Sequence, residues 1–223
     1  MGGTDLHHAN FLVMQPGAAA GGEERTFIET ARRAQIVAAA IDTIADFGYA
    51  GASFARIAER LGISRGLISY HFTGKDDLMK QVVRDVVEKG MAYMRPRILA
   101  GSTGPGMLRA YIETNLEFMR ENRKDLIAVS EIARSADGRR LFYGDSDVVD
   151  AVRALEHLLS GFQTAGQLRP DFDPHVMAIA VRAAIDAVPS RLAPEPEFDI
   201  DNYAREIVTV FDLATRIEAR HDP

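Results

Sequence analysis

Apolar residues recur at intervals of three or four positions along most of the chain, which is the spacing of an amphipathic helix. The first such stretch begins near Thr26 and ends at Gly48, a residue type that often stops a helix in the left-handed conformation. Alternation with a period of two, the signature of a half-buried strand, is not convincing over any comparable length. The pattern predicts an all-α fold.

Two short helices with a tight turn between them follow the first helix. Ser53 is a good N-cap for a helix that ends before Gly62, and Ser64 is a good N-cap for a third helix over residues 65–72. Two short helices joined by a glycine-containing turn form a helix-turn-helix arrangement. We therefore predict an N-terminal three-helix domain that contains this motif.

The rest of the chain is also predicted to be helical. A long fourth helix spans about 76–99, with an expected disturbance at Pro96. A glycine-rich loop over 101–106 follows it, and Pro189–Pro196 is one of the later breaks. The further predicted helices are 106–121, 124–135, 146–166, 174–188 and 200–220. The complete pattern predicts about nine helices.

Composition narrows the functional classes. With 223 residues the chain is long enough for two helical domains, and it contains no cysteine. The lack of cysteine excludes disulfides, cysteine-ligated metals and thiol catalysis. No apolar run is long enough to span a membrane. A signal peptide requires basic residues near its N-terminus, and none precedes Arg25. These features predict a cytoplasmic protein without a membrane segment.

Charge is distributed unevenly along the chain, whose net charge is −6. Residues 1–24 are rich in glycine, carry a net charge of −3 and are predicted to form a disordered tail, in which either Met1 or Met14 is the native start. Residues 25–75, which contain the helix-turn-helix, carry +3, whereas residues 76–223 carry −6. Because local charge determines attraction to phosphate, a basic module joined to an acidic one points to nucleic-acid binding.

One stretch, Ile57–Leu78, reads IAERLGISRGLISYHFTGKDDL. It resembles the DNA-binding signature of TetR/AcrR-family transcriptional regulators, because the turn glycine, the helix caps, the Tyr-His-Phe cluster and the loop lysine have the expected offsets. The resemblance covers the first helix to the start of the fourth. It implies a helix-turn-helix DNA-binding domain at 25–75 and a helical ligand-binding and dimerisation domain at 76–223. The implied function is that of a repressor released from a palindromic DNA operator by a small-molecule ligand, without a cofactor.

The same stretch contains candidates for individual DNA contacts. A recognition helix lies in the major groove with its N-terminal residues at the base edges. Arg65 is suited to a guanine edge, Gly66 permits close approach of the backbone, and Leu67 is suited to a thymine methyl group. The phosphate-binding candidates are polar or lie at helix N-termini. The complete set of predicted DNA contacts is Ser53, Ser64, Arg65, Gly66, Leu67, Ser69, Tyr70, His71 and Lys75.

Two positions depart from the family pattern. Leu67 occupies a position that is often Thr, and Ser69 occupies one that is often Tyr. The first change removes a hydroxyl group, and the second shortens a phosphate donor. They imply an altered operator rather than lost binding, because four other candidate contacts remain, namely Arg65, Tyr70, His71 and Lys75.

The last two predicted helices are expected to pair with those of a second copy, because one short helix-turn-helix reads too few base pairs to be selective. The alternative is that their apolar stripe packs only on its own domain. The apolar positions concerned are Val176, Ile179, Ala180, Ala183, Ala184, Ile207, Val208, Val210, Phe211 and Leu213.

Methionine and aromatic side chains of the C-terminal helices are candidates for a small-molecule pocket, since adaptable apolar walls suit apolar ligands. Each of them would also suit an ordinary core. The candidates are Met91, Met94, Phe118, Met119, Phe142, Tyr143, Phe162 and Met177.

Other functional classes have less support in the sequence. The chain has no GxSxG, HExxH, P-loop or GxGxxG motif, so an enzyme is not predicted. Carboxylates near Asp145 and near Asp173 have a spacing that suits a divalent cation, but their positions at helix starts favour caps, and no metal site is predicted. The remaining alternative is an all-helical interaction module, or a metal or ligand sensor, that has lost DNA binding.

Overall fold

The computed structural model describes residues 27–101, 103–135 and 147–217, which form ten helices and no strand. The helices are α1 Phe27–Gly51, α2 Phe54–Leu61, α3 Arg65–His71, α4 Lys75–Leu99, α5 Gly104–Glu121, α6 Arg123–Arg134, α7 Asp147–Thr164, α8 Pro174–Asp186, α9 Pro189–Leu192 and α10 Ile200–Thr215. The predicted all-α fold is confirmed. The predicted tail at 1–24 lies outside the described residues.

The predicted signals bound α2 and α3, and the predicted stop of α1 interrupts that helix without ending it. Gly48 interrupts α1 with a φ of 70°, after which one more turn leads to Gly51. The Ser53 hydroxyl accepts a hydrogen bond from the backbone N–H of the third residue of α2, and the Ser64 hydroxyl does the same for α3. Gly62 ends α2 in the left-handed region, with a φ of 65°. The caps therefore fix the residues at which α2 ends and α3 begins.

The fourth helix is longer and more regular than predicted. It begins at Lys75 and continues through Pro96 to Leu99. Pro96 lies in the last turn, where its missing N–H costs few intrahelical hydrogen bonds, so the expected disturbance does not break the helix.

Three other predictions of helix limits were inaccurate. Helix α5 begins at Gly104 rather than 106, because the Thr103 hydroxyl accepts from the Gly106 N–H at 3.1 Å. Helix α10 ends at Thr215 rather than 220, where its carbonyl accepts from the backbone N–H of Arg169 at 3.0 Å. The predicted break after residue 188 contains the one-turn helix α9.

The apolar side chains form two clusters. The larger cluster joins α5, α7, α8 and α10 with the end of α4. The other cluster joins α1, α2, α3 and the first half of α4. Ala128 and Ile132 of α6 are fully buried in this second cluster, and so is Leu78 of α4. The core of the helix-turn-helix unit therefore includes residues beyond the 25–75 segment.

Polar contacts join α6 to the helices on either side of it. At the helix-turn-helix side, the Lys124 ammonium donates to the Asp42 carboxylate at 2.7 Å, and Asp42 is also 4.0 Å from the Arg60 guanidinium. The hydrogen bond and the charge of Asp42 raise the pKa of Lys124. On the other side, the Arg123 guanidinium donates to the carbonyls of Leu192 and Glu195 at 2.7 and 2.8 Å. Helix α6 thus connects the helix-turn-helix with α9.

Within the described ranges, no helix combines the length and the apolar character needed to cross a membrane.

Candidate nucleic-acid interface

The N-terminal half of α3 presents its side chains to solvent. Arg65, Gly66 and Ser69 are exposed, and Leu67 is half-buried. Ile68 points the opposite way and is fully buried in the cluster beneath α3. The residues predicted to face DNA therefore share one surface, and the residue predicted to be core lies behind it.

The two cap serines flank this surface. The Ser53 Oγ accepts from the Arg56 N–H at 3.3 Å, and the Ser64 Oγ accepts from the Leu67 N–H at 3.2 Å. Both serines are exposed, and a hydroxyl that accepts one hydrogen bond keeps its own O–H for another acceptor. A role in capping is therefore compatible with donation to a phosphate.

The aromatic pair at the end of α3 is divided between surface and interior. Tyr70 is 73% exposed, and its hydroxyl lies 3.4 Å from a carboxylate oxygen of Glu29 on α1. His71 is half-buried, and its ring meets the Tyr70 ring edge to face, with centroids 5.1 Å apart. Tyr70 thus has the more accessible polar group of the two.

Lys75 holds two helices together at this surface. Its ammonium donates to the Tyr49 carbonyl at 2.6 Å and lies 3.9 Å from the centroid of the Tyr49 ring. The contact joins the start of α4 to the end of α1. Lys75 is half-buried, so its predicted phosphate contact would be added to a structural role.

Arg33 of α1 is a supporting residue that the sequence interpretation missed. Its guanidinium lies 4.1 Å from the centroid of the Phe72 ring and donates to the His71 carbonyl, at the C-terminus of α3. A second donor reaches Gln81 of α4 at 3.4 Å. These contacts orient α3, and only a three-dimensional structure reveals them, because 38 residues separate Arg33 from its carbonyl partner.

The candidate ligand-binding residues are only partly brought together. Phe118 and Met119 are buried in the larger cluster, and Met94, Phe162 and Met177 pack against it. Met91 is half-buried but does not belong to that group. Phe142 and Tyr143 lie outside the described residues. The pocket assignment stays a prediction.

Two cavities are lined by residues other than the candidate ligand-binding residues. One holds about 10 Å³ between α5 and α10 and is lined by Leu108 and Phe211, among others. The other is an open cleft of about 300 Å³ among α1, α4 and α6, with Val37 and Val86 on its apolar part. Neither is lined by a candidate ligand-binding residue.

The carboxylates considered for a cation have identifiable partners where the structure describes them. Asp173 caps α8 by accepting from the backbone N–H groups of His175 and Val176. Asp171 pairs with the Arg169 guanidinium at 3.1 Å. The side chains near Asp145 lie outside the described residues.

Helices α8 and α10 each have two different apolar faces. One face is buried in the protein's own core and includes Val208 and Phe211. The other face is exposed, with large apolar residues between 47% and 61% accessible. This exposed apolar face consists of Val176, Ile179, Val210, Leu213 and the following Ile217. The predicted stripe therefore mixed residues of the core with residues of an uncovered surface.

The described geometry coincides with a known family pattern. The family model for bacterial regulatory proteins of the tetR family matches residues 36–82, from α1 to the first half of α4. The helix-turn-helix segment of the chain therefore matches the tetR family model. The matched residues include the capped α2–turn–α3 unit and its outward-facing arginine.

Relatives and structural neighbours of this chain carry names of regulators. The HTH-type transcriptional regulator BetI 1 of Chromohalobacter salexigens is 38% identical over 93 residues, which is 41% of this chain and 46% of the relative. The chain thus spans about half the length of the curated relatives it matches.

Two solved structures resemble the whole described fold. One, on the control of antibiotic production by bacterial hormones, has a TM-score of 0.69 and 26% identity and covers 86% of this chain and all (100%) of the other. A transcriptional regulator from Saccharomonospora viridis in complex with choline has a TM-score of 0.70 and covers 85% of this chain and 100% of the other. At 21% identity, the latter likeness concerns the fold.

Proposed function

We propose that the chain is a sequence-specific DNA-binding regulator of transcription. The observation that carries the proposal is the capped N-terminus of α3, which presents Arg65 and Gly66 to solvent on a segment of net charge +3. An arginine at the start of a recognition helix is suited to a guanine edge in the major groove. The names of the curated relatives favour this function over a helical module that has lost DNA binding.

The DNA-bound form is proposed to be a homodimer formed through α8 and α10. Their exposed apolar face is unusual for a surface that stays in water, because large contiguous apolar patches mark interaction sites. A two-fold dimer presents two recognition helices about one DNA turn apart, roughly 34–36 Å, and so reads a palindrome.

The C-terminal helices are proposed to bind a small-molecule effector that releases the DNA. A structural neighbour that holds choline supports binding of a small molecule by this kind of helical body. The effector would favour one arrangement of the body over another, and the shift cannot exceed its difference in affinity for the two states. Helix α6 is the proposed link, because its side chains contact both the helix-turn-helix and α9.

Arg65→Ala tests the proposed base contact. We expect wild-type protein to retard the DNA immediately upstream of its own gene in a mobility-shift assay, against a scrambled competitor. The variant is expected to lose about 1–3 kcal/mol of binding free energy per half-site and to tolerate changes at one base pair of each half-site.

Arg153→Ala is the matched control for Arg65→Ala, because it removes an exposed arginine from α7, outside the helix-turn-helix. It is expected to bind like wild type. Equal binding by Arg65→Ala and wild type would refute the base contact, and the absence of any sequence-dependent shift by wild type would count against the proposed regulator.

Gly66→Ala is expected to separate stability from DNA binding. A Cβ atom at Gly66 would meet only the Ser64 Oγ, at 3.8 Å, so the protein itself has room for it. Alanine costs less backbone entropy than glycine in a helix, by about 0.5–1 kcal/mol, so thermal stability should stay equal or rise.

DNA affinity of Gly66→Ala should nevertheless fall, because the added methyl group would stand between α3 and the base edges. Thermal denaturation and a mobility shift on the same preparation measure the two effects. A variant that binds DNA as tightly as wild type would show that the backbone does not approach closely at Gly66.

A further inference from the structure

An exposed aromatic ring at the end of α1 supports an arginine of α2. Phe47 is 54% exposed, and the Arg56 guanidinium lies 4.6 Å from the centroid of its ring. The same guanidinium donates from Nη1 to the Gly51 carbonyl at 2.9 Å. A ring on one side and a carbonyl at one edge hold the otherwise flexible side chain in one orientation.

Gly51 provides the space for this arrangement. A Cβ atom there would lie 2.8 Å from the Phe47 Cβ and 3.0 Å from the Arg56 Nη1. Both distances are too short for any other residue type without displacement of the pair. Gly51 therefore leaves the room in which the Arg56 guanidinium lies against the Phe47 ring.

Arg56 and its neighbour Arg60 carry the same charge but differ in their ion pairs. Arg60, one turn further along α2, is paired with the carboxylates of Asp46 and Asp42. Among the ion pairs of the described residues, none includes Arg56. An exposed guanidinium that is oriented but not neutralised retains its capacity for an external anion.

Arg56 also lies next to other groups that suit an anion. It is the third residue of α2, whose N-terminus is capped by Ser53. The segment from Tyr49 to Gly51 accepts two cations on its carbonyls, Lys75 at Tyr49 and Arg56 at Gly51. The positive end of the α2 dipole and the two cations therefore surround the same short segment.

We propose that Arg56 binds a phosphate of the DNA backbone, and that Phe47 and Gly51 are its positioning residues. This proposal rests on the proposed function, DNA binding by the helix-turn-helix. A guanidinium offers two parallel donors to phosphate oxygens, and prior orientation lowers the entropy that is lost on binding. Because phosphate contacts carry no base information, Arg56 contributes to affinity on every sequence.

The test compares Arg56→Ala with wild type on two duplexes of equal length, the upstream DNA of the protein's own gene and a scrambled sequence. On both, the variant is expected to lose roughly tenfold in affinity at low salt. The slope of log K against log salt should become shallower by about one for each half-site. Arg65→Ala, in contrast, should weaken binding mainly to the upstream DNA.

Arg60→Ala is the control on the same helix, because its charge is already compensated by two carboxylates. It is expected to leave the salt slope unchanged. Phe47→Leu should weaken DNA binding in the wild-type background and have no effect in the Arg56→Ala background, since the ring acts only through the guanidinium. Thermal denaturation of each variant shows that the comparison concerns folded protein.

The outcomes separate the two proposals. Unchanged affinity and salt slope for Arg56→Ala, with DNA binding by wild type intact, would overturn the assignment of Arg56 alone. Equal effects of Phe47→Leu in both backgrounds would overturn the positioning role of the ring. Failure of wild type to bind either duplex would overturn the proposed function and the phosphate contact with it.

Discussion

Ile179→Glu is expected to dissociate the proposed dimer into monomers and to reduce operator affinity by on the order of a hundredfold or more. Ile179 lies on the exposed apolar face of α8 and is 47% accessible, next to Val176, which is 61% accessible. In a two-fold interface the same patch meets its copy, so one substitution introduces two carboxylates into one contact. Their burial without partners costs more than a surface contact contributes.

Light scattering coupled to gel filtration measures the mass, and a mobility shift measures the affinity. Leu99→Glu is the matched control, because Leu99 is a comparably exposed apolar residue, 43% accessible, that belongs to α4 and not to α8 or α10. It is expected to leave both the mass and the affinity unchanged. A dimeric Ile179→Glu variant would exclude the α8 and α10 face as the interface.

Local signals made the helix-turn-helix predictable. Ser53, Gly62 and Ser64 act within one turn of their own positions, through an N-cap hydroxyl or a left-handed φ, so their effect on structure does not depend on the rest of the chain. Arg65 is exposed as the first residue of the helix that Ser64 caps. The predicted start and end of α2 and α3 are accordingly accurate.

Tertiary contacts determined the features that the sequence did not reveal. The end of α10 depends on Arg169, which donates to the carbonyls of Ala214 and Thr215 from a distant turn. The apolar stripe of the same helix did not reveal which of its residues face the core and which face solvent, because both faces contain large aliphatic side chains. Only the packing of α5 and α10 separates Phe211 from Leu213.

In the candidate site, too, tertiary contacts distinguish residues that the sequence alone does not. Arg33, Arg56 and Lys75 look alike in the sequence, as basic residues in a helical segment of net charge +3. In the structure each guanidinium or ammonium lies against an aromatic ring and donates to a backbone carbonyl. These aromatic partners are distant in sequence or on another helix, so periodicity alone does not identify them.

Ile132→Ala is expected to lower the free energy of unfolding by about 2–5 kcal/mol. Ile132 is fully buried, and although it belongs to α6, it packs in the cluster formed by α1 to α4. The cavity left by the substitution would therefore lie under the helix-turn-helix rather than in the larger C-terminal cluster. The loss of packing should loosen α2 and α3 while the C-terminal helices keep their packing.

Urea denaturation measures the loss of stability, and amide hydrogen exchange identifies the helices that open more readily. Arg134→Ala is the control on the same helix, because Arg134 is exposed and pairs only with Glu131 among the described ion pairs. Exchange in α2 and α3 should accelerate in Ile132→Ala and not in the control. Uniform acceleration over the whole chain would show one cooperative core, whereas acceleration confined to α7, α8 and α10 would contradict the position of Ile132. Selective loosening of α2 and α3 would make α6 part of the DNA-binding unit, through which a change at α9 can reach α3.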